Sequence, residues 1–185
     1  MQVVVDRHTF TVDEYHRMAE SGILTQDDRV ELINGEIISM SPINSSHASV
    51  VDRFNTIFNN RLSGQVIVRI QSTLQIPEHS EPEPDVMLLK YRDDFYADAH
   101  PQSDDVYLLV EVADLSLPVD RKIKLPLYAQ AQVAEVWIVN LTDQQIEGYR
   151  LPSEDHYQES WVASHEQDIT IPHFSITVAV KDVIG

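Results

Sequence analysis

The chain has 185 residues, 43% of them hydrophobic, and a formal net charge of −17. This length favours one domain over residues 1–185, and the apolar share excludes a disordered chain. The charge argues against a general nucleic-acid binder, because such proteins hold phosphates with basic residues. It does not exclude a nuclease whose site is shielded by metal ions.

Other broad features indicate the cellular setting. Cysteine is absent, so neither a disulfide nor a thiolate metal site can form, which fits a reducing cytoplasm. The first eight residues have no basic segment followed by a long apolar core, so we expect no signal peptide. No apolar run approaches the roughly 18 residues of a membrane span. We therefore expect a soluble, cytoplasmic protein with no membrane partner.

The first local signals predict a helix and a hairpin. Thr11 and Glu14 have the spacing of a capping box, which predicts a short helix that ends before Gly22. Asn34-Gly35 separates the apolar runs 29–33 and 36–40. This dipeptide favours the left-handed conformations of a tight turn, so a β-hairpin is predicted there.

The next segment predicts a long helix and more strand. Ser45 or Ser46 can cap a helix that runs to about Leu62, since its apolar residues recur at helical spacing. The runs 66–70 and 73–76 predict one bent strand or two short ones.

The second half predicts a mixed sheet. Two apolar strands, 85–89 and 106–112, are separated by an acidic loop with a short helix near 91–97. Asp120 can cap a helix that ends near Gln132. The remaining predicted strands are 133–140, 145–151, 157–163 and 169–171. The order of elements predicts an α/β or α+β domain, with helices packed on a mixed sheet.

Two carboxylates lie at or inside apolar strands. Glu111 interrupts the apolar run 106–112, where an unpaired charge is costly to bury. Asp85 follows Pro84 at the start of another apolar run. Neighbouring strands can aim both side chains at one point, which favours a magnesium or manganese site. Alternatively, Asp85 is a turn residue and Glu111 is the partner of a buried arginine or lysine.

Two lysines follow these carboxylates in the chain. A lysine near a metal-held phosphate can stabilise developing negative charge or orient the attacking water. Lys124 and Tyr128 are four residues apart, so on a helix they share a face that could look at the end of the Glu111 strand. The alternative is an ordinary solvated lysine, which suits Lys122 better.

Three further residues give weaker signals. His47 lies near the start of the long predicted helix, where it could orient substrate or water, or simply lie at the surface. Glu31 precedes the tight turn and could be another acidic ligand or a cross-strand partner of Arg29 or a lysine. Gln71 could reach the site from the strand before Asp85, or be a polar residue at a strand end.

An ordered set of residues resembles a known family. The chain is similar to the Uma-two family of bacterial restriction-endonuclease-like proteins, within the PD-(D/E)xK nuclease-like superfamily, from about Thr9 to Phe174. The matching residues are the run Glu31-Leu-Ile-Asn-Gly-Glu-Ile-Ile-Ser-Met-Ser-Pro42, His47, Pro84-Asp85, Glu111-Val112, Asp120, Lys124, Tyr128 and the run Val133-Ala-Glu-Val-Trp-Ile-Val-Asn140.

The resemblance implies a restriction-endonuclease-like core, in which a central mixed β-sheet is flanked by helices. It implies that Asp85 and Glu111 are the acidic metal ligands, and that the usual lysine two positions after the glutamate is replaced from the following helix. Position 113 is Ala113, and Lys124 is the best candidate for the displaced lysine.

The chain departs from the family pattern at three places. The loop 114–118 reads Asp-Leu-Ser-Leu-Pro where Ser-Pro-Ser is common. Pro126 lies in the lysine helix, and Asn140 stands where an aspartate is usual. These departures concern one loop, one helix residue and one strand end, and the predicted fold does not depend on them.

The first functional hypothesis is a metal-dependent endonuclease that hydrolyses phosphodiester bonds of DNA. Asp85 and Glu111 hold magnesium (or manganese), and Lys124 assists the attacking water. The supporting residues are His47, Glu31, Gln71, Lys122, Asp120 and Tyr128. We expect a homodimer, because cutting two strands commonly uses two sites and symmetric dimers are the commonest assembly.

Two other hypotheses belong to different classes. One is a catalytically silent nuclease-fold module for binding or assembly. It is motivated by the changed loop 114–118 and by the high negative charge of the chain. Segment 77–120, with twelve acidic and two basic residues, carries −10 of that charge. The other is metal-independent hydrolysis by the carboxylate pair, as in glycosidases, which requires one raised carboxyl pKa.

Overall fold

A computed structural model of the chain describes residues 7–25, 27–171 and 173–185. The expectation of no signal peptide depends mainly on residues 1–6, which lie outside these ranges. Among the described residues, no helix combines the length and the apolar character needed to cross a membrane.

The described ranges contain ten strands, five α-helices and two short helical turns of other types. The strands are β1 (Val30–Ile33), β2 (Glu36–Ser39), β3 (Val66–Ile70), β4 (Val86–Lys90), β5 (Val106–Ala113), β6 (Glu135–Asn140), β7 (Gln145–Ser153), β8 (His156–Ser164), β9 (Asp168–Ile171) and β10 (Ile176–Ala179). The helical segments are α1 (Val12–Glu20), α2 (Ser45–Leu62), a 3₁₀ turn (Ser103–Asp105), α3 (Leu117–Val119), a π-helical turn (Asp120–Lys124), α4 (Leu125–Gln130) and α5 (Val180–Ile184).

Six strands form a mixed sheet in the order β3-β4-β5-β6-β7-β8. Strands β5 and β6 are parallel, and the other neighbours in this sheet are antiparallel. The parallel pair follows from the helical crossover between β5 and β6, because a tight turn joins only antiparallel strands. The predicted mixed sheet with flanking helices is therefore confirmed.

The two faces of the sheet carry separate apolar layers. Helix α2 covers one face, where Phe54 packs among side chains that include Val110. Helix α4 and the β1–β2 hairpin cover the other, where Leu127 packs among side chains that include Leu109 and Met87. Strands β4 and β5 are thus buried on both sides, which explains why their sequences are nearly unbroken apolar runs.

The β4–β5 register places the two predicted carboxylates side by side. Val86 pairs with Val110 across the antiparallel ladder. The next position in each direction therefore brings Asp85 beside Glu111. The backbone N–H of Gln71 donates to the Asp85 carbonyl at 3.0 Å, which extends the β3–β4 pairing to the same point.

The predicted hairpin and first helix cap are confirmed. Asn34 and Gly35 have φ of 51° and 77°, the left-handed conformation that the turn requires. Thr11 and Glu14 form the reciprocal capping box at the start of α1. Helix α2 also lies where predicted, but its cap is Asn44, whose Oδ1 accepts from the His47 backbone N–H at 2.9 Å.

One strand prediction, for residues 73–76, and one helix prediction, for residues 91–97, were wrong. Residues 73–76 form only isolated bridges, because the backbone N–H groups of Leu74 and Gln75 donate to Pro82 and Pro101, which belong to different segments. Residues 91–97 form turns, because Phe95 and its neighbour at position 96 both adopt left-handed φ, which an α-helix does not allow.

The helix after β5 begins earlier than predicted, so Asp120 does not cap it. The Asp120 backbone N–H already donates to the Ser116 carbonyl. The Leu125 N–H donates to the Asp120 carbonyl five residues back, which defines the π turn. This wider turn directly precedes Pro126, whose ring would clash with the carbonyl four residues back in a regular helix. Downstream, β9 pairs with β10, and the sequence signals did not predict β10 or α5.

Candidate active site

A cavity of about 110 Å³ opens where β4 begins and β5 ends. Its walls come from both apolar layers: the β1–β2 hairpin and the π turn on one side, and the start of α2 on the other. Seven of the sequence-predicted residues line it: Glu31, His47, Gln71, Asp85, Glu111, Asp120 and Lys124.

Glu111 is buried and bonded to two side chains of the lysine helix. Its Oε1 accepts from the Tyr128 hydroxyl at 2.6 Å and from Lys124 Nζ at 3.3 Å. Burial raises the pKa of Glu111 well above its ordinary value, while the Lys124 charge acts in the opposite direction. The interpretation of Glu111 as the partner of a buried lysine is thus also met, and that lysine is Lys124.

Lys124 joins two buried carboxylates. Its Nζ lies 3.0 Å from Glu31 Oε2 as well as 3.3 Å from Glu111 Oε1, and its side chain is only 7% exposed. Burial alone would lower the pKa of Lys124, but Glu111, Glu31 and Asp120 outweigh burial and raise it. Lys124 therefore carries its charge at neutral pH, although it is buried, and it lies next to Glu111.

Asp85 is held in place by three donors. Its Oδ2 accepts from the Val112 backbone N–H at 2.8 Å and lies 3.1 Å from His47 Nε2. Its Oδ1 accepts from Gln71 Nε2 at 3.2 Å. Burial alone would lower the pKa of His47, but the Asp85 carboxylate outweighs it and raises the pKa. The structure therefore brings His47 and Gln71 to Asp85, from α2 and from the end of β3.

Two more carboxylates increase the negative charge of the cavity. Asp120 is 3% exposed, and burial raises its pKa to about 6. Glu83 is half-buried, and burial followed by the Glu31 charge raises its pKa. The Glu83 backbone N–H also donates to Glu31 Oε2 at 3.1 Å.

Lys122 does not join this group. Its side chain is exposed, and it is absent from the residues that line the cavity within the described chain. On the same helical segment, Lys124 is turned inward and Lys122 outward. Tyr128 is not among the described residues that line the cavity, but its hydroxyl donates to Glu111, which does line it.

Sequence reasoning missed Glu83, and it assigned no site role to Arg29 or to the Asn44–Asp114 contact. Glu83 could have been found from the run Glu81-Pro82-Glu83-Pro84-Asp85, in which alternate positions are acidic. Arg29 lines the cavity next to the hairpin. The hydrogen bond from Asn44 Nδ2 to Asp114 Oδ2, 2.9 Å long, joins two loops 70 residues apart, so no local pattern indicates it.

The donor set fits a hard divalent cation in part. Asp85 and Glu111 both line the cavity. Both bonds to Glu111 go to Oε1, so Oε2 makes none among the described residues. In the described ranges, no three side chains of His, Asp or Glu converge closely enough to surround an ion by themselves. A cation held by two carboxylates must complete its shell with water, as Mg²⁺ ordinarily does.

This arrangement has the parts needed for phosphodiester hydrolysis. The paired carboxylates can hold a cation, and the buried ammonium lies beside them where negative charge would develop on a phosphate. The charge of the cavity also favours a cation. Among the described residues, six carboxylates line it, together with the two cations Arg29 and Lys124.

Comparisons with known proteins agree with this reading of the fold. The structure resembles the crystal structure of a "putative nuclease belonging to DUF820" from Anabaena variabilis, with a TM-score of 0.72 and 14% sequence identity. The alignment covers 95% of this chain and 97% of the other. At that identity the likeness shows a shared fold. A search of curated proteins gave no match.

A sequence model of one family matches nearly the whole chain. It covers residues 12–180, which include every residue of the cavity described above. The family is Uma2, whose description is "Putative restriction endonuclease". The sequence resemblance and the restriction-endonuclease-like fold are thereby confirmed, and the chain belongs to the Uma2 family.

Proposed function

We infer that the chain is a metal-dependent endonuclease that hydrolyses phosphodiester bonds of DNA. The observation that carries this inference is the meeting of Asp85 and Glu111 in one acidic cavity, beside the buried ammonium of Lys124. The family description and the nuclease name of the structural neighbour support the same class of reaction.

Asp85 and Glu111 would be the ligands of Mg²⁺ or Mn²⁺. When bound, such a cation polarises the scissile phosphate and lowers the pKa of a water that attacks it. His47 and Gln71 hold the Asp85 carboxylate in its orientation through bonds to Oδ2 and Oδ1. The Val112 N–H adds a third bond, so the carboxylate is fixed before any ligand arrives.

Lys124 has two roles in this mechanism. Its ammonium neutralises part of the charge of Glu31 and Glu111, which lets both carboxylates stay buried beside Asp85. An ammonium has three N–H donors, so one donor remains to orient the attacking water or to stabilise charge on the phosphate. Tyr128 fixes Glu111 from the other side through its hydroxyl.

Cleavage of a supercoiled plasmid tests the proposal. The wild type should nick or linearise it with Mg²⁺ or Mn²⁺ and lose this activity in EDTA. Asp85→Asn and Glu111→Gln should both abolish cleavage. Glu135→Gln is the matched control, because Glu135 is also buried but bonds to Trp137 Nε1, away from the cavity.

The other outcomes discriminate between the hypotheses. Cleavage that persists in both variants would contradict the assigned ligands. Cleavage unaffected by EDTA would favour metal-independent hydrolysis. A folded wild type that cuts nothing would favour the silent binding or assembly module. We also propose a homodimer, which sedimentation equilibrium of the wild type would test.

A further inference from the structure

A second buried carboxylate cluster lies outside the acidic cavity. At its centre is Glu147 on β7, which is 3% exposed. Its Oε2 accepts from Arg121 Nε at 2.9 Å and from the Tyr149 hydroxyl at 2.8 Å. Its Oε1 accepts from Arg121 Nη2 and, at 3.3 Å, from Asn140 Nδ2. None of these four residues is among the described residues that line the cavity, so the proposed mechanism gives the cluster no role.

This cluster joins the π turn to the central sheet. Arg121 is the second residue of the turn, and Glu147 belongs to β7. The two parallel N–H groups of a guanidinium match the two oxygens of a carboxylate, so such a pair fixes orientation as well as distance. Burial alone would raise the pKa of Glu147, but the bonds from Arg121, Tyr149 and Asn140 outweigh burial and lower it. The pair is therefore charged at neutral pH.

The π turn benefits from an outside contact of this kind. A π turn is rare because its backbone bonds span five residues instead of four, and it occurs frequently at functional sites. Pro126 follows directly and has no backbone N–H to donate. If the turn changed to regular α-helical winding, the Lys124 side chain would point in another direction, away from Glu31 and Glu111.

The departure from the family pattern at Asn140 fits this arrangement. Asn140 Nδ2 donates to Glu147 and also to Asp143 Oδ2 at 2.9 Å, and its Oδ1 accepts from the Asp143 backbone N–H at 3.0 Å. An ionised aspartate has no donor, so it would place a second negative charge beside Glu147 and compete with it for Arg121. With asparagine at position 140, Glu147 is the carboxylate that receives the guanidinium.

We propose that Arg121 and Glu147 are positioning residues, whose ion pair holds the π turn so that the Lys124 ammonium stays against Glu31 and Glu111. Arg121 and Lys124 belong to one five-residue turn, and they face β7 and the cavity respectively. Fixing the first therefore restrains the second. The part that this restraint plays in phosphodiester hydrolysis rests on the proposed nuclease function, whereas the restraint itself does not.

NMR of the Lys124 ammonium tests the restraint without any need for activity. Lys124 is 6% exposed, while the other lysines of the chain, Lys90, Lys122 and Lys181, are exposed. Exposed ammonium protons exchange quickly with water. In protein containing isotope-labelled lysine, the persistent ammonium signal should therefore belong to Lys124, and Lys124→Met should remove it.

Two variants separate positioning from stability. Arg121→Met leaves Glu147 buried without its cation, whereas Arg121→Met combined with Glu147→Gln removes both charges and should recover much of the lost stability. In both variants the Lys124 ammonium protons should exchange with water at least about tenfold faster than in the wild type. Glu159→Gln is the matched control, because it breaks the Arg150–Glu159 ion pair, which joins β7 to β8 and not to the π turn.

Three results would overturn the proposal. The first is exchange that stays as slow in the variants as in the wild type. The second is slow exchange that returns in the double variant, because the ion pair would then act on stability alone. The third is a wild type without a persistent ammonium signal, because Lys124 would then not be held at all.

Cleavage kinetics with Mg²⁺ test the part that rests on the nuclease function. The double variant should lower kcat about tenfold and leave KM within about threefold, since Lys124 is expected to act on the transition state. Unchanged kcat despite faster exchange, or a change in KM alone, would overturn the role in the reaction. Faster exchange in the variants of a wild type that cuts nothing would uphold the restraint on Lys124 and contradict the nuclease function.

Discussion

Removing the charge of Lys124 should destabilise the fold strongly, and more so at high pH. Lys124→Met keeps most of the side-chain length but leaves Glu31 and Glu111 without their cation, at sites where both are 3% exposed. Breaking a buried ion pair from one side typically costs about 3–5 kcal/mol. With a urea slope of about 2 kcal/mol/M, the unfolding midpoint should fall by about 2 M.

The pH dependence has a definite sign. Without the Lys124 charge, burial and the neighbouring carboxylates are no longer opposed by a cation, so the pKa of Glu111 rises further above its ordinary value. Near pH 5 the variant's Glu111 can therefore hold a proton and be buried at lower cost. The difference in unfolding free energy between wild type and variant should accordingly grow from pH 5 to pH 8.

Urea unfolding followed by circular dichroism at both pH values measures this difference. Lys122→Met is the control, since this exposed lysine lies two residues away on the same segment and its loss should change stability by less than about 0.5 kcal/mol. A Lys124→Met variant that is no less stable than Lys122→Met, or whose loss of stability is the same at pH 5 and pH 8, would refute the description of Lys124 as a buried counter-ion.

Three further changes probe the site and the sheet beneath it. Asp120→Asn should gain about 2–3 kcal/mol of stability relative to the wild type between pH 4 and pH 8, measured by urea titration. The wild type loses stability over this range because pH rises through a carboxyl pKa of about 6. A difference that stays constant with pH would contradict a raised pKa. Tyr128→Phe should lower the free energy of unfolding by about 1–3 kcal/mol, since it removes a buried donor from Glu111; an unchanged midpoint would argue against that bond. Gly148→Ala should cost about 1–3 kcal/mol in thermal unfolding, because a Cβ there would overlap the Trp161 ring; a neutral result would mean that the ring moves aside.

The central carboxylate pair could be predicted because its signals are local and energetic. A glutamate inside an apolar strand must have a partner, whatever the fold, and Glu111 has two in Tyr128 and Lys124. Asp85 lies at the start of the preceding apolar run, so only an antiparallel pairing of the two strands was needed to bring it to the same point. The alternation of side chains along strands was sufficient for that step.

Three other features were not predictable in this way. The π turn that places Lys124 forms through local backbone bonds that the Ser116 and Asp120 carbonyls accept, and no residue pattern predicted it. The run 73–76 has strand-like residues but finds its backbone partners in two separate segments. Asn44 caps α2 where a serine was predicted. Asparagine and serine cap helices about equally well, so the residue types alone could not decide between the two positions.

Calorimetric titration of Mg²⁺ and Mn²⁺ into metal-free protein tests the central claim most directly. The wild type should bind the cation with measurable heat, Glu111→Gln and Asp85→Asn should lose this binding, and Glu135→Gln should keep it, with all four proteins equally folded by circular dichroism. Binding retained in both site variants, or no binding by the wild type, would contradict a metal site formed by Asp85 and Glu111.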